Sequence, residues 1–282
     1  MRTTITVSLL LASTSIATAD DRIHDFATLD RATGSSGAGA ELSFITGDLD
    51  ELKGAISRLD LHAEYVLPSG FGAYGAFAVS KAFLSAKDPA DQMFADAIGD
   101  ATAISNLELG AQYRRKLNDE LTIVGHAGLS LPTASDDDPG AFLTNVLSSP
   151  RRFNDLVTAF PEITTLRVGI SPIWHRGAVF ARADLGADIV LDEPAMTTAN
   201  NIFHANLAVG ARTGKLSGAL ELVTLGTTED VSDDEDRFLH TGALSLRYDA
   251  GRFAPSLSIV TPLDDGGLGE IISIGAGVAA AF

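Results

Sequence analysis

In the stretch RLDLHAEYVL, residues 58–67, Arg58, Asp60, His62 and Glu64 occupy every second position, with Leu59, Leu61, Ala63, Tyr65 and Leu67 between them. Cations and carboxylates alternating along one line can orient a polar solute or pair with one another. Either chemistry needs a backbone that sets all four on one face. A strand does this, because successive side chains point to opposite faces, whereas a helix would scatter them around its cylinder. The same parity collects Glu108, Arg114, Arg167, Arg182, Asp184, Asp188, His204, Arg212 and Glu221 on charged faces elsewhere in the chain. Two readings stay open: a polar path for a solute, as pores build from charged side chains, or an ion-pair network that fills an interior, since buried charges must be paired. Gly72, Ala76, Ala78, Gly110, Gly128, Gly169, Gly186, Gly210, Gly275 and Gly277 share the charged parity and favour open space.

Catalysis has little support. His62, His126, His175 and His204 lie on the charged faces, but no HExxH pair and no serine–histidine–aspartate cluster occurs. The expectation is no enzyme, no cofactor and no metal site. The chain has no cysteine, which excludes disulfides and thiol chemistry. Its net charge of −17 argues against a nucleic-acid partner, because phosphates need a basic face. The acidic runs DLDE (48–51), DDD (136–138) and EDVSDDED (229–236) could gather divalent cations, but no calcium-loop spacing appears. They read as a solvated surface.

The elements that position these residues are strands. The opening MRTTITVSLLLASTSIATA has a basic start, a short apolar run and a small-residue cleavage pattern, the marks of a signal peptide over 1–19 cut near Ala19/Asp20. Residues 20–35 then form a short periplasmic N-terminal segment ahead of a barrel over 36–282. Within it the alternation predicts twelve strands, at about 36–45, 54–67, 71–84, 102–116, 121–132, 163–175, 177–191, 201–213, 215–224, 237–249, 252–262 and 270–282. Short turns at PSG, LNDE, HRG, TGK and DAG alternate with long loops at 46–53, 85–101, 133–162, 192–200, 225–236 and 263–269. An even strand count with short turns at one end and long loops at the other is the pattern of a transmembrane barrel.

Aromatic placement decides which face is outside. Tyr65, Phe71, Tyr113, Trp174, Tyr248 and Phe253 sit on the apolar face beside the short turns, as does Phe282 at the C-terminus. Phe44, Phe83, Phe203 and Phe238 take the same face beside the long loops. Two aromatic girdles around an aliphatic band describe a bilayer exterior, so the charges point into the lumen. Lys81 and His240 take the lipid parity near the long-loop end; either they reach for the interface or a bulge shifts them. In the long 133–162 loop, Phe142 and Val146, then Phe153, Leu156, Val157 and Phe160, recur at helical spacing. They read as an apolar lid or inward constriction, or as two helices capping the rim; Met93, Phe94, Ala97 and Ile98 repeat the pattern in the 85–101 loop.

The leader, the alternating hairpins and the final strand IISIGAGVAAAF resemble bacterial outer-membrane β-barrel proteins, and more loosely the transporter-like barrels grouped with phenol-degradation proteins. The resemblance implies that Gly277 and Phe282 serve as a signal for the barrel-assembly machinery. The expected molecule is therefore all-β, a 12-stranded antiparallel up-and-down barrel in a Gram-negative outer membrane, touching lipid and lipopolysaccharide. Its expected function is passive passage of small-molecule solutes, apolar ones included if the lid captures them. The competing expectation is a closed structural or surface-interaction barrel.

Overall fold

A computed structural model of the chain describes residues 27–47, 52–88, 92–134, 138–192, 201–227, 237–264 and 270–282. The expected signal peptide over 1–19, its expected cleavage site and the acidic runs at 48–51 and 229–236 lie outside the described residues. So do Asp136 and Asp137, and nothing is described of the side chains of Met93, Phe94 and Ala97.

The strands are β1 (Gly37–Gly47), β2 (Leu52–Val66), β3 (Phe71–Ala86), β4 (Thr102–Ile104), β5 (Leu107–Lys116), β6 (Leu121–Leu131), β7 (Thr165–Arg176), β8 (Val179–Val190), β9 (Ile202–Thr213), β10 (Leu216–Thr227), β11 (Phe238–Tyr248), β12 (Phe253–Pro262) and β13 (Ile271–Ala281). Consecutive strands pair antiparallel, and β13 returns to β1, which closes the ring. The short β4 and β5 together make one stave, so the barrel has twelve. The stave expected over 102–116 is split at Ser105 and Asn106; the other predicted strand ends match within three residues. Tight turns explain the hairpin ends. Gly177 and Gly214 take φ of +59° and +58°, a backbone region that side chains disfavour. In LNDE, Asn118 Oδ1 does a similar job by accepting the N–H of Glu120 and of Leu121.

The wall faces as the aromatic girdles require. Leu109 is 48 % exposed while its neighbour Glu108 is 3 % exposed. The outer surface carries Leu42, Leu59, Ile170, Leu185, Leu207, Leu220, Leu244, Leu257 and Ile274 in one belt. An apolar surface of that extent is the mark of a barrel in lipid. Tyr65, Phe71, Tyr113, Trp174, Tyr248 and Phe253 are all exposed at the short-turn rim, where the Phe71 and Tyr113 rings lie 4.6 Å apart. Lys81 keeps its outward parity because the β2–β3 register runs unbroken, with no bulge. Its ammonium reaches the rim instead, 2.6 Å from Asp100 Oδ1 and above the Phe83 ring. His240 bonds Thr224 Oγ1 at 3.0 Å. No helix among the described residues is long and apolar enough to cross a membrane.

Two segments enter the bore. Sequence reading sets 20–35 apart from the barrel, yet its described part is deeply buried: Thr28, Leu29, Ala32 and Thr33 are each 2 % exposed or less. The 133–162 loop also folds inward, as helix α2 (Pro139–Ser148) followed by a 3-10 stretch (Ser149–Ala159) kinked at Arg152 and Asp155; helix α1 (Gln92–Ile98) lies on the 85–101 loop. Asp138 is the N-cap of α2, its carboxylate accepting the Gly140 N–H. Leu143 and Leu147 of α2 pack on an apolar patch of Ile45, Leu52, Ile56, Ala82, Leu84, Ala95 and Ile98.

Candidate functional site: the bore and its two inward segments

The first inward segment is an extended chain held by lumen carboxylates. It enters beside the short turns, where the Ser36 hydroxyl accepts the Val66 N–H at 2.9 Å. The Gly34 N–H donates to Gln112 Oε1 at 3.0 Å. Glu64 accepts the N–H and the hydroxyl of Thr33. Further in, Asp184 accepts the Asp30 N–H at 2.9 Å, and His126 Nε2 lies 3.0 Å from Asp30 Oδ2. Deepest of all, Glu221 accepts the N–H groups of Ala27 and Thr28 and the Thr28 hydroxyl. Backbone donors that would be orphaned in a dry interior are thus satisfied by side chains of the wall.

The second segment is tied to the wall through ions. Asp155 is its hub: Arg152 Nε lies 2.6 Å away, Arg31 Nη2 3.0 Å and Arg167 Nη1 3.0 Å. Burial opposes the charge, but Arg152, Arg31 and Arg167 hold the Asp155 carboxyl well below the usual carboxylate range. Around the hub, Arg31 also meets Asp60 at 2.7 Å, and Arg58 meets Asp60 at 3.1 Å. Arg167 reaches Glu108 at 3.1 Å and Asp188 at 2.8 Å. His204 bridges Asp188 and Asn154, each at 2.9 Å. Arg152 closes the loop onto the first segment by donating to the carbonyls of Ala27 and Leu29.

Of the twelve sequence-derived lumen residues, Arg58, Asp60, Glu64, Glu108, Arg167, Arg182, Asp184, Asp188, His204 and Glu221 are buried and bind one another or the inward segments. His62 lies against Gly39 beside a cavity, and Arg212 is half-buried at the short-turn end of β9. The four lid residues divide. Phe153 and Leu156 pack on Leu29, Phe180, Ala208, Ala219, Val223 and Leu225 of the bore, while the Phe142 and Phe160 rings face each other at 6.2 Å. Four of the glycines expected to leave open space instead seat large neighbours. A side chain at Gly110 or Gly128 would strike Tyr74, one at Gly169 would strike His126, and one at Gly210 would strike Phe180. Gly277 and Phe282 lie in and just after β13, where Phe282 donates its N–H to the Ser36 carbonyl.

Sequence reasoning missed the segment 27–34, the pair Arg151 and Arg152, Asp155, and Asn106. Asn106 fills the break between β4 and β5: its amide donates to the Phe160 and Ile163 carbonyls, and its Oδ1 accepts the Ala134 N–H. Its own N–H donates to the Thr158 carbonyl at 2.8 Å.

The bore is divided lengthwise. The charged residues that grip the two segments stand on β2 (Asp60, Glu64), β7 (Arg167), β8 (Asp184) and β10 (Glu221). On β10 to β13, Ser217, Ala219, Ser245, Ala254, Ser256, Gly277 and Ala279 are small and line a cavity that is partly open to solvent. Arg31, Arg152, Arg247, Asp30, Glu41 and Asp60 supply its charge.

No protein-family model and no curated relative matches this sequence. In fold, the chain is similar to an outer-membrane channel from Pseudomonas putida F1, with TM-score 0.61, 14 % identity, and 93 % of this chain and 99 % of that one covered. It is similar to the NanC porin at TM-score 0.56 and 10 % identity, over 87 % of this chain and 100 % of that one. The KdgM porin, in complex with disordered oligogalacturonate, aligns at TM-score 0.51 and 12 % identity, over 86 % of this chain and 99 % of that one. The shared architecture is that of bacterial outer-membrane barrels.

Proposed function

We propose that this barrel is a passive channel for small polar solutes across the outer membrane. The observation that carries the proposal is the partly solvent-open cavity along the serine, alanine and glycine staves, beside rather than through the two inward segments. Phe153 and Leu156 bury their apolar surface on the bore wall and not on this cavity, which favours a polar solute over an apolar one. The similar folds include proteins named as a channel and as porins, which agrees with this reading. The short-turn rim then faces the periplasm, the acidic loops face lipopolysaccharide, and β13 with Gly277 and Phe282 is the strand that the assembly machinery reads. The ionic network that fills the other half of the bore favours a second reading, a closed scaffold. Purified protein in a planar lipid bilayer separates them: discrete, stable single-channel currents are expected, and a silent bilayer with correctly folded barrel would reject the channel.

A further inference from the structure

At the end of the cavity away from the short turns stand Glu41 of β1 and Ser258 of β12. Behind them lies Arg151, whose side chain is wholly buried. Its Nη2 contacts Glu41 Oε1 and donates to Ser258 Oγ at 2.6 Å. Its Nε and Nη1 have no hydrogen-bond partner among the described residues. A guanidinium carries five N–H donors and always keeps its charge, and buried donors without acceptors are costly. Arg152 and Arg31, which line the cavity directly, are already engaged by Asp155 and Asp60, whereas Arg151 meets it only through Glu41 and Ser258. Arg151 is left with two donors short of acceptors, and Glu41, its carboxylate partner, is the more accessible member of the pair at 18 % side-chain exposure.

We propose that Arg151 is the solute-recognising residue of the passage and takes the carboxylate of a small organic anion when Glu41 swings aside into the cavity. A carboxylate taking the place of Glu41 at Nη2 can fork onto one of the two donors that lack a partner, through charge-assisted hydrogen bonds of the kind arginine makes well. Glu41 then acts as an internal competitor that occupies the site between solutes. No bond is made or broken. The transport consequence rests on the channel reading, whereas the binding does not.

The probe is succinate, measured by titration calorimetry on the detergent-solubilised barrel and as block of chloride current in planar bilayers. Wild-type protein is expected to bind it saturably. Arg151→Gln weakens binding about tenfold or more and lowers the chloride-over-potassium preference. Glu41→Gln acts in the opposite direction, because the competitor has lost its charge: succinate binds more tightly and the anion preference rises. A strut with only a structural role would not tighten binding in this way. Absence of succinate binding to wild type, or unchanged binding in Arg151→Gln, overturns the proposal. If Arg151→Gln does not fold, as judged by heat-modifiable gel mobility, Glu41→Gln decides alone, and unchanged or weaker binding overturns it. A silent bilayer with binding intact rejects the channel and keeps the site; conduction without binding rejects the site and keeps the channel.

Discussion

Asp155 collects three arginines from three parts of the chain: Arg31 of the N-terminal segment, Arg152 of its own 3-10 stretch and Arg167 of β7. Taking such a cluster out of water is tolerable only while every member stays paired. The carboxyl titrates below the ordinary Asp value of 3.8, as does Asp30, where burial opposes ionisation and His126 and Arg167 favour it. For a depressed carboxyl the stabilisation is complete above the unfolded value and is lost as pH falls through the folded one. The heat-unfolding midpoint, read by gel mobility, is therefore expected to drop as pH is lowered below 3.8. Asp155→Asn starts from a lower midpoint but shows a shallower acid decline, and an unchanged acid slope would contradict the hub. At this scale the alternation of RLDLHAEYVL was informative because wall residues follow a period of two. Asp30 and Arg31 sit in a segment with no periodicity, so nothing local marked them as lumen residues.

The inward loop shows how an element can mislead. Phe153, Leu156, Val157 and Phe160 suggest an apolar helix, but the chain runs as short 3-10 turns broken by non-helical backbone at Arg152 and Asp155. Phe153 and Leu156 pack on the apolar bore cluster, while Arg152 Nε donates to the Asp155 carboxylate and the Thr158 hydroxyl to the Asp155 carbonyl. The sequence SPRRFNDL held that signal in its paired arginines and aspartate, which a search for apolar spacing passes over. The strands and turns were legible because lipid on one side and water on the other enforce strict alternation. The split at Ser105 and Asn106 was not, since its cause is a tertiary contact: Asn106 leaves the ladder to bind the returning end of the loop. Asn106→Ala strips acceptors and donors from three backbone groups, two of them in buried bonds. It is expected to cost about 1–3 kcal/mol and to make open-channel current noisier as the loop loosens. A quiet channel of wild-type stability would show that the latch is dispensable.

For the whole molecule, orientation comes first: a wet, charged wall inside and an apolar wall against lipid. Composition and alternation carry that much. They do not reveal that the bore is asymmetric, because small residues are equally compatible with open space and with room for a bulky neighbour. Gly110 and Gly128 make room for Tyr74, whereas Ser256 and Gly277 border the cavity. Solutes are accordingly expected to pass along β10 to β13 and β1, with the N-terminal segment in place. The chain has no cysteine, so a single introduced thiol reports on one position only. The most direct test is to place one at Ser256, on the cavity, and another at Ser171, which is wholly buried on the charged side, and to treat each conducting barrel with a charged methanethiosulfonate reagent. Loss of most of the current in Ser256→Cys, with Ser171→Cys unaffected, is the predicted result. Block at Ser171→Cys with Ser256→Cys untouched would place the path on the other side of the bore and contradict this account.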